Sequence, residues 1–144
     1  RELPDRLMDP RLAEIRVRYA DTDQMGVVYY ANYLVWMEVG RTEYLRNIGM
    51  AYRDMESVDG IVLPVKEAHV DYIASARYDD IVIVKSSIET FTRACMKIVY
   101  EITNKADGRL LATGYTVHPF VNREMKITRL PAAIYEKLKG AIGC

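Results

Sequence analysis

Asp21-Thr22-Asp23-Gln24-Met25-Gly26-Val27-Val28-Tyr29-Tyr30-Ala31-Asn32-Tyr33 is a polar, glycine-containing stretch set between two strongly patterned segments. Upstream, Ile15-Arg16-Val17-Arg18-Tyr19 alternates apolar and polar residues with the period of a half-buried strand. Downstream, Tyr33, Met37, Gly40, Tyr44 and Ile48 recur at helical spacing, and Leu34, Trp36 and Leu45 widen their stripe. That pattern predicts a helix from about Tyr30 to Ile48, apolar over most of its circumference and therefore buried, with Gly49 at its C-terminus. The stretch reads strand, tight loop, helix. A carboxylate delivered beside the N-terminus of a buried helix suits chemistry on a group that gains negative charge, because free N–H groups and the helix dipole there favour anions.

Working outward, Arg1 to Pro10 is charged, carries two prolines and reads as an irregular lead-in. Ala51 to Val58 predicts a further short helix, closed by the turn signal Asp59-Gly60. From Ile61 the period changes: Ile61, Leu63, Val65, Ala68, Val70, Tyr72 and Ala74 alternate loosely and predict a long or bent second strand. Ile81 to Phe91 gives a third, Met96 to Ile102 a fourth, and Leu110 to Val121 a fifth after the turn at Asp107-Gly108. A final amphipathic helix begins at Pro131, and residues 131–144 form a C-terminal helix and tail. One long helix followed by hairpin-linked strands predicts an α+β architecture in which an antiparallel five-stranded sheet packs on that helix. Such a sheet covers one side of a helix, so a second copy of the chain is expected to cover the rest.

A chain of 144 residues is expected to be one domain with a core of its own. Lys+Arg and Asp+Glu both number 20, so there is no basic excess of the kind that a phosphate-reading domain normally carries, which argues against nucleic acid as the main partner. No apolar run approaches the length of a membrane span. Cys95 and Cys144 offer neither a disulfide framework nor a metal spacing, and a reducing, cytoplasmic compartment is the expectation.

The pattern Asp-x-Asp-x-x-Gly-x-Val from Asp21 to Val28, followed by Tyr30 and Tyr33 and a helix carrying Arg41-Thr42-Glu43, resembles the hotdog-fold acyl-CoA thioesterases of the 4-hydroxybenzoyl-CoA thioesterase and YbgC-like group. The resemblance spans about Leu12 to Asn122. It implies a hotdog fold, an acyl-CoA substrate, no cofactor, and a homodimer or homotetramer. It makes Asp23 the catalytic carboxylate, as nucleophile or as general base, and the backbone N–H of Tyr30 the group that polarises the thioester carbonyl. YbgC-like relatives often have histidine at that position; Tyr30 matches the hydroxybenzoyl-CoA branch. Physical chemistry agrees with these roles: thioester hydrolysis develops negative charge on the carbonyl oxygen, and one fixed N–H donor there is commonly worth ~3 kcal/mol. Around these two residues, Tyr19, Gly26, Val27 and Val28 are expected to touch substrate, with Gly26 allowing close approach or a positive φ. The resemblance also puts Arg93, between the third and fourth strands, near the CoA phosphates.

Plainer readings apply to several of these residues. Asp21 is a turn or capping residue. Tyr33 and Cys95 belong to the core, and His69 and His118 are packed or surface histidines with no metal set around them. Two other functions compete with hydrolysis. A hotdog dehydratase or hydratase pairs its carboxylate with a histidine, often five residues on, where this chain has Val28. A non-catalytic acyl-CoA binding module would use the same fold without turnover.

Overall fold

The computed structural model describes residues 9–50, 52–57 and 59–142. Most of the lead-in, Ala51, Val58, Gly143 and Cys144 lie outside the described residues. The elements in chain order are β1 (Leu12–Arg16), α1 (Asn32–Asn47), α2 (Tyr52–Ser57), β2 (Glu67–Tyr72), β3 (Ile81–Phe91), β4 (Cys95–Asn104), β5 (Leu110–Pro119) and α3 (Ala132–Ile142). The strands form one five-stranded sheet in the order β1-β3-β4-β5-β2, every neighbouring pair antiparallel. This is the expected α+β arrangement.

Three elements differ from the sequence pattern, each for a physical reason. The first strand stops at Arg16, short of Tyr19, because the chain turns through a single helical turn at Tyr19–Asp21. The Asp21 carboxylate closes that turn by accepting the Arg18 backbone N–H at 2.8 Å and the Arg18 guanidinium at 2.8 Å. The long second strand shrinks to Glu67–Tyr72, because Pro64 has no N–H for a ladder; Val62 instead makes an isolated bridge to Val121. The central helix starts two residues later than Tyr30 and is buried on one face only: Tyr33, Trp36, Met37, Gly40, Tyr44 and Leu45 are buried, whereas Leu34 and Val35 are exposed. One sheet shields one side of a helix, and the outer apolar residues stay in solvent.

The core lies between α1 and the inner face of the sheet. On β3 and β4 the inward positions Val82, Val84, Met96, Ile98, Tyr100 and Ile102 are all buried, in the alternation read from the sequence. Helix and sheet approach closely: Gly40 lies against Val84 and Ser86, and the Met37 methyl lies over Gly114. Helix α3 closes one end by burying Leu138 and stacking Tyr135 on Phe91, ring centroids 4.9 Å apart.

A polar chain crosses this core. The Tyr100 and Thr116 hydroxyls are 2.7 Å apart, and Thr116 Oγ1 is 2.7 Å from His118 Nε2. Burial, with the positive charge of Arg41 adding to it, pushes the His118 pKa down to about 4, although the Leu63 and Pro64 carbonyls act in the opposite direction. His118 is therefore neutral at pH 7. An unfolded histidine takes up a proton near pH 6.5, and the folded one resists until about pH 4. Stability should then fall as pH drops through that window, with a slope of at most about 1.4 kcal/mol per pH unit from this group. Thermal melts between pH 7 and pH 4 test it: His118→Gln should flatten the decline, and equal slopes in both proteins would overturn it.

Candidate functional site

The loop from Thr22 to Val28 is built by backbone hydrogen bonds. Thr22 and Val28 form an antiparallel bridge, the Asp23 N–H donates to the Val27 carbonyl at 2.9 Å, and the Gly26 N–H donates to the Asp23 carbonyl at 3.0 Å. Gly26 has φ +80°, and nothing lies within 4 Å of where its Cβ would be. The positive φ accounts for a glycine at this position. The Asp23 carboxylate accepts the Met25 N–H at 2.8 Å, an Asx turn that fixes its orientation. Its side chain is half-buried.

The loop is tied to the start of α1 through Asp21. The Asp21 carbonyl accepts both the Tyr29 N–H at 2.9 Å and the Asn32 side-chain amide at 2.9 Å. The Val28 N–H donates to the Ala76 carbonyl at 2.9 Å, which anchors the other side. Asp21 is buried; burial alone would raise its carboxyl pKa, but the hydrogen bonds and charge of Arg18 leave it lowered overall. Asp21 is thus the structural member of the aspartate pair, as expected.

At the helix entrance the Asn32, Tyr33 and Leu34 N–H groups donate to the Tyr29, Tyr30 and Ala31 carbonyls. The Tyr30 and Ala31 N–H groups, just before the helix, meet no acceptor among the described residues. Asp23 and Tyr30 line the same hollow of about 270 Å³, walled by Val27, Val28, Tyr33 and Tyr72. In the sequence pattern Tyr72 is one position of the second strand. Its hydroxyl donates to the Tyr30 carbonyl at 2.8 Å, and its ring meets those of Tyr30 and Tyr33 edge-on. Its only sequence signal was an aromatic residue at the end of a strand, and its partners lie some 40 residues away (|i−j| 42).

The other sequence candidates separate. Val27 and Val28 join the hollow. Tyr19 is 77% exposed, packs edge-on against Tyr78 and is not among the residues that line it. Arg93 stands in the β3–β4 turn and donates Nε to the Leu130 carbonyl at 2.8 Å, which ties that turn to the segment before α3. His69 and His118 lie on β2 and β5, outside the hollow.

A profile described as the thioesterase-like superfamily matches residues 17–138, from the end of β1 into α3. The chain belongs to this superfamily. The member described here is 42% identical to YneP of Bacillus subtilis (strain 168) over 111 residues, 77% of this chain and 79% of the relative. It is 31% identical to the acyl-CoA thioester hydrolase YbgC of Escherichia coli over 126 residues, 87% of this chain and 92% of that one. Among solved structures, a DHNA-CoA thioesterase from Staphylococcus aureus superposes with a TM-score of 0.83 at 37% identity, covering 90% of this chain and 86% of that chain. The superfamily member has the hotdog fold of these relatives: a sheet packed on one long helix.

Proposed function

We propose that this superfamily member hydrolyses acyl-CoA thioesters to a free acid and CoA, with Asp23 as nucleophile or general base and the Tyr30 N–H as oxyanion donor. The observation that carries the reading is that Asp23 and Tyr30, whose N–H meets no acceptor among the described residues, line one hollow at the start of α1. The names of the relatives supply the substrate class.

The chemistry follows from the parts. As a thioester carbonyl is attacked, its oxygen takes up negative charge, and the Tyr30 N–H with the helix dipole behind it stabilises that charge. If Asp23 acts as base, it takes a proton from water while the water oxygen bonds to the carbonyl carbon. The C–S bond then breaks, and the thiolate of CoA leaves and is protonated. If Asp23 attacks directly, a mixed anhydride forms and CoA leaves, after which water hydrolyses the anhydride and restores the carboxylate. A hydratase reading gains no support, since no histidine lines the hollow.

The mouth of the hollow is apolar and wet in one chain: Met25 is 79% exposed, Tyr30 61% and Ile73 56%. Together with Leu34 and Val35 on the outer face of α1, these residues support a homo-oligomer in which a second copy covers the rim. The test is to give purified protein a panel of short, long and aromatic acyl-CoAs, read free thiol with a chromogenic reagent, and run sedimentation velocity on the same sample. Thiol release with at least one thioester and a dimer or tetramer are expected. Acyl-CoA binding without thiol release from any substrate would make the protein a binding module, and a monomer would refute the shared rim.

A further inference from the structure

A second cavity of about 210 Å³ lies two to four turns further along α1, between Glu38, Arg41, Thr42 and Leu45 on the helix and Met96, Ile98 and His118 on β4 and β5. It shares no lining residue with the hollow at Asp23. By the rise of an α-helix, Arg41 stands about 14 Å along the axis from Asn32, the first residue of α1.

The cavity is lined by one cation, Arg41, and one carboxylate, Glu38, and the two do not pair. Arg41 is half-buried and makes no ion pair among the described residues, although Glu38 stands three residues before it on the same helix. Its guanidinium faces the Tyr100 hydroxyl, where it offsets the upward push of burial on that group. The Tyr100–Thr116–His118 hydrogen-bond chain runs beside this cation. The His118 ring is 1% exposed, with Nε2 on Thr116 and the Leu63 and Pro64 carbonyls near its other side. A guanidinium only donates hydrogen bonds, and an anionic oxygen pair matches its fork. The remaining lining, Leu45, Leu63, Met96 and Ile98, is aliphatic or thioether. The volume is below the ~300 Å³ at which pockets for drug-sized ligands begin.

We infer that this cavity is a second binding site, separate from the hollow at Asp23, for a small carboxylic acid with an apolar body. The carboxylate sits on Arg41 with the Thr42 hydroxyl beside it, and the hydrocarbon lies against Leu45, Leu63, Met96 and Ile98. Glu38, exposed at the rim, leaves the cation to the ligand. The class includes the kind of acid that thioester hydrolysis releases, but the site does not depend on that activity.

The experiment is calorimetric titration of the full chain with hexanoate, benzoate, hexanol and inorganic phosphate. Saturable binding of at least one acid is expected, with hexanol and phosphate at least tenfold weaker. Arg41→Gln should weaken the acid at least tenfold, whereas Asp23→Asn should leave it unchanged. Thr42→Trp, which plugs the cavity from the half-exposed helix face and keeps Arg41, should weaken it as well; melting curves confirm that both variants are folded. Absence of acid binding, phosphate binding as tight as hexanoate, or equal affinity in wild type and folded Arg41→Gln would each overturn the site. Loss of binding in Asp23→Asn would move the ligand to the other hollow and overturn the separation. Hydrolysis measured on the same samples is a different readout, so failure of one reading is distinguishable from failure of the other.

Discussion

Replacing Asp23 with asparagine should lower turnover of a CoA thioester by about 10²–10⁴-fold, the range for removal of a positioned acid–base group. The asparagine retains an Oδ1 that can accept the Met25 N–H, now 2.8 Å from the carboxylate. The rest of the loop is held by backbone bonds between Thr22 and Val28, Asp23 and Val27, and Gly26 and Asp23, none of which uses the carboxylate. What disappears is a negative charge able to take a proton or attack a carbonyl. The melting temperature should stay within about 2 °C, as expected for an exchange that breaks no buried contact. Single-turnover thiol release read beside a thermal melt separates chemistry from folding. Unchanged turnover in a folded Asp23→Asn protein would end the catalytic assignment.

Gly114→Ala should be among the most damaging single substitutions for stability. Gly114 lies in β5 opposite Val70 on β2 and Tyr100 on β4. A Cβ built there overlaps the backbone carbonyl of His69 and comes 2.6 Å from the Met37 methyl. The Met37 side chain has other rotamers, but the His69 carbonyl is part of the sheet and moves only if β2 moves. Overpacking of this kind costs roughly 3 kcal/mol, at the upper end of the usual range. For a chain of this length that is a fall of about 10 °C in melting temperature. A melt within 2 °C or so of wild type would show that β2 and α1 do not approach β5 this closely.

The sheet was legible in the sequence where one face is buried. Alternation through Ile81 to Phe91 and Met96 to Ile102 located β3 and β4, because every second side chain meets α1. It misled at β1, where Tyr19 continues the alternation of Ile15 and Val17, yet Asp21 draws the chain into a turn. It misled again before β2, where Pro64 interrupts an apolar run. That Asp23, Val27, Val28 and Tyr30 lie around one hollow was legible because they are close in sequence, with strand and helix patterns bracketing them. Tyr72 was not, because its role depends on β2 ending beside the start of α1, a long-range placement that no local pattern encodes. Arg41 stands in a sequence motif, but that it makes no ion pair among the described residues is a property of packing.

The frame of the Asp23 loop is made of main-chain atoms, with Gly26 alone required for its backbone angle. Gln24 and Met25 are exposed, Met25 at the mouth of the hollow, and the Val27 side chain lines the wall while its carbonyl accepts the Asp23 N–H. Specificity and architecture are thereby written in different alphabets. A lineage is free to change the side chains at these positions while the main-chain frame, and with it the placement of Asp23, stays the same.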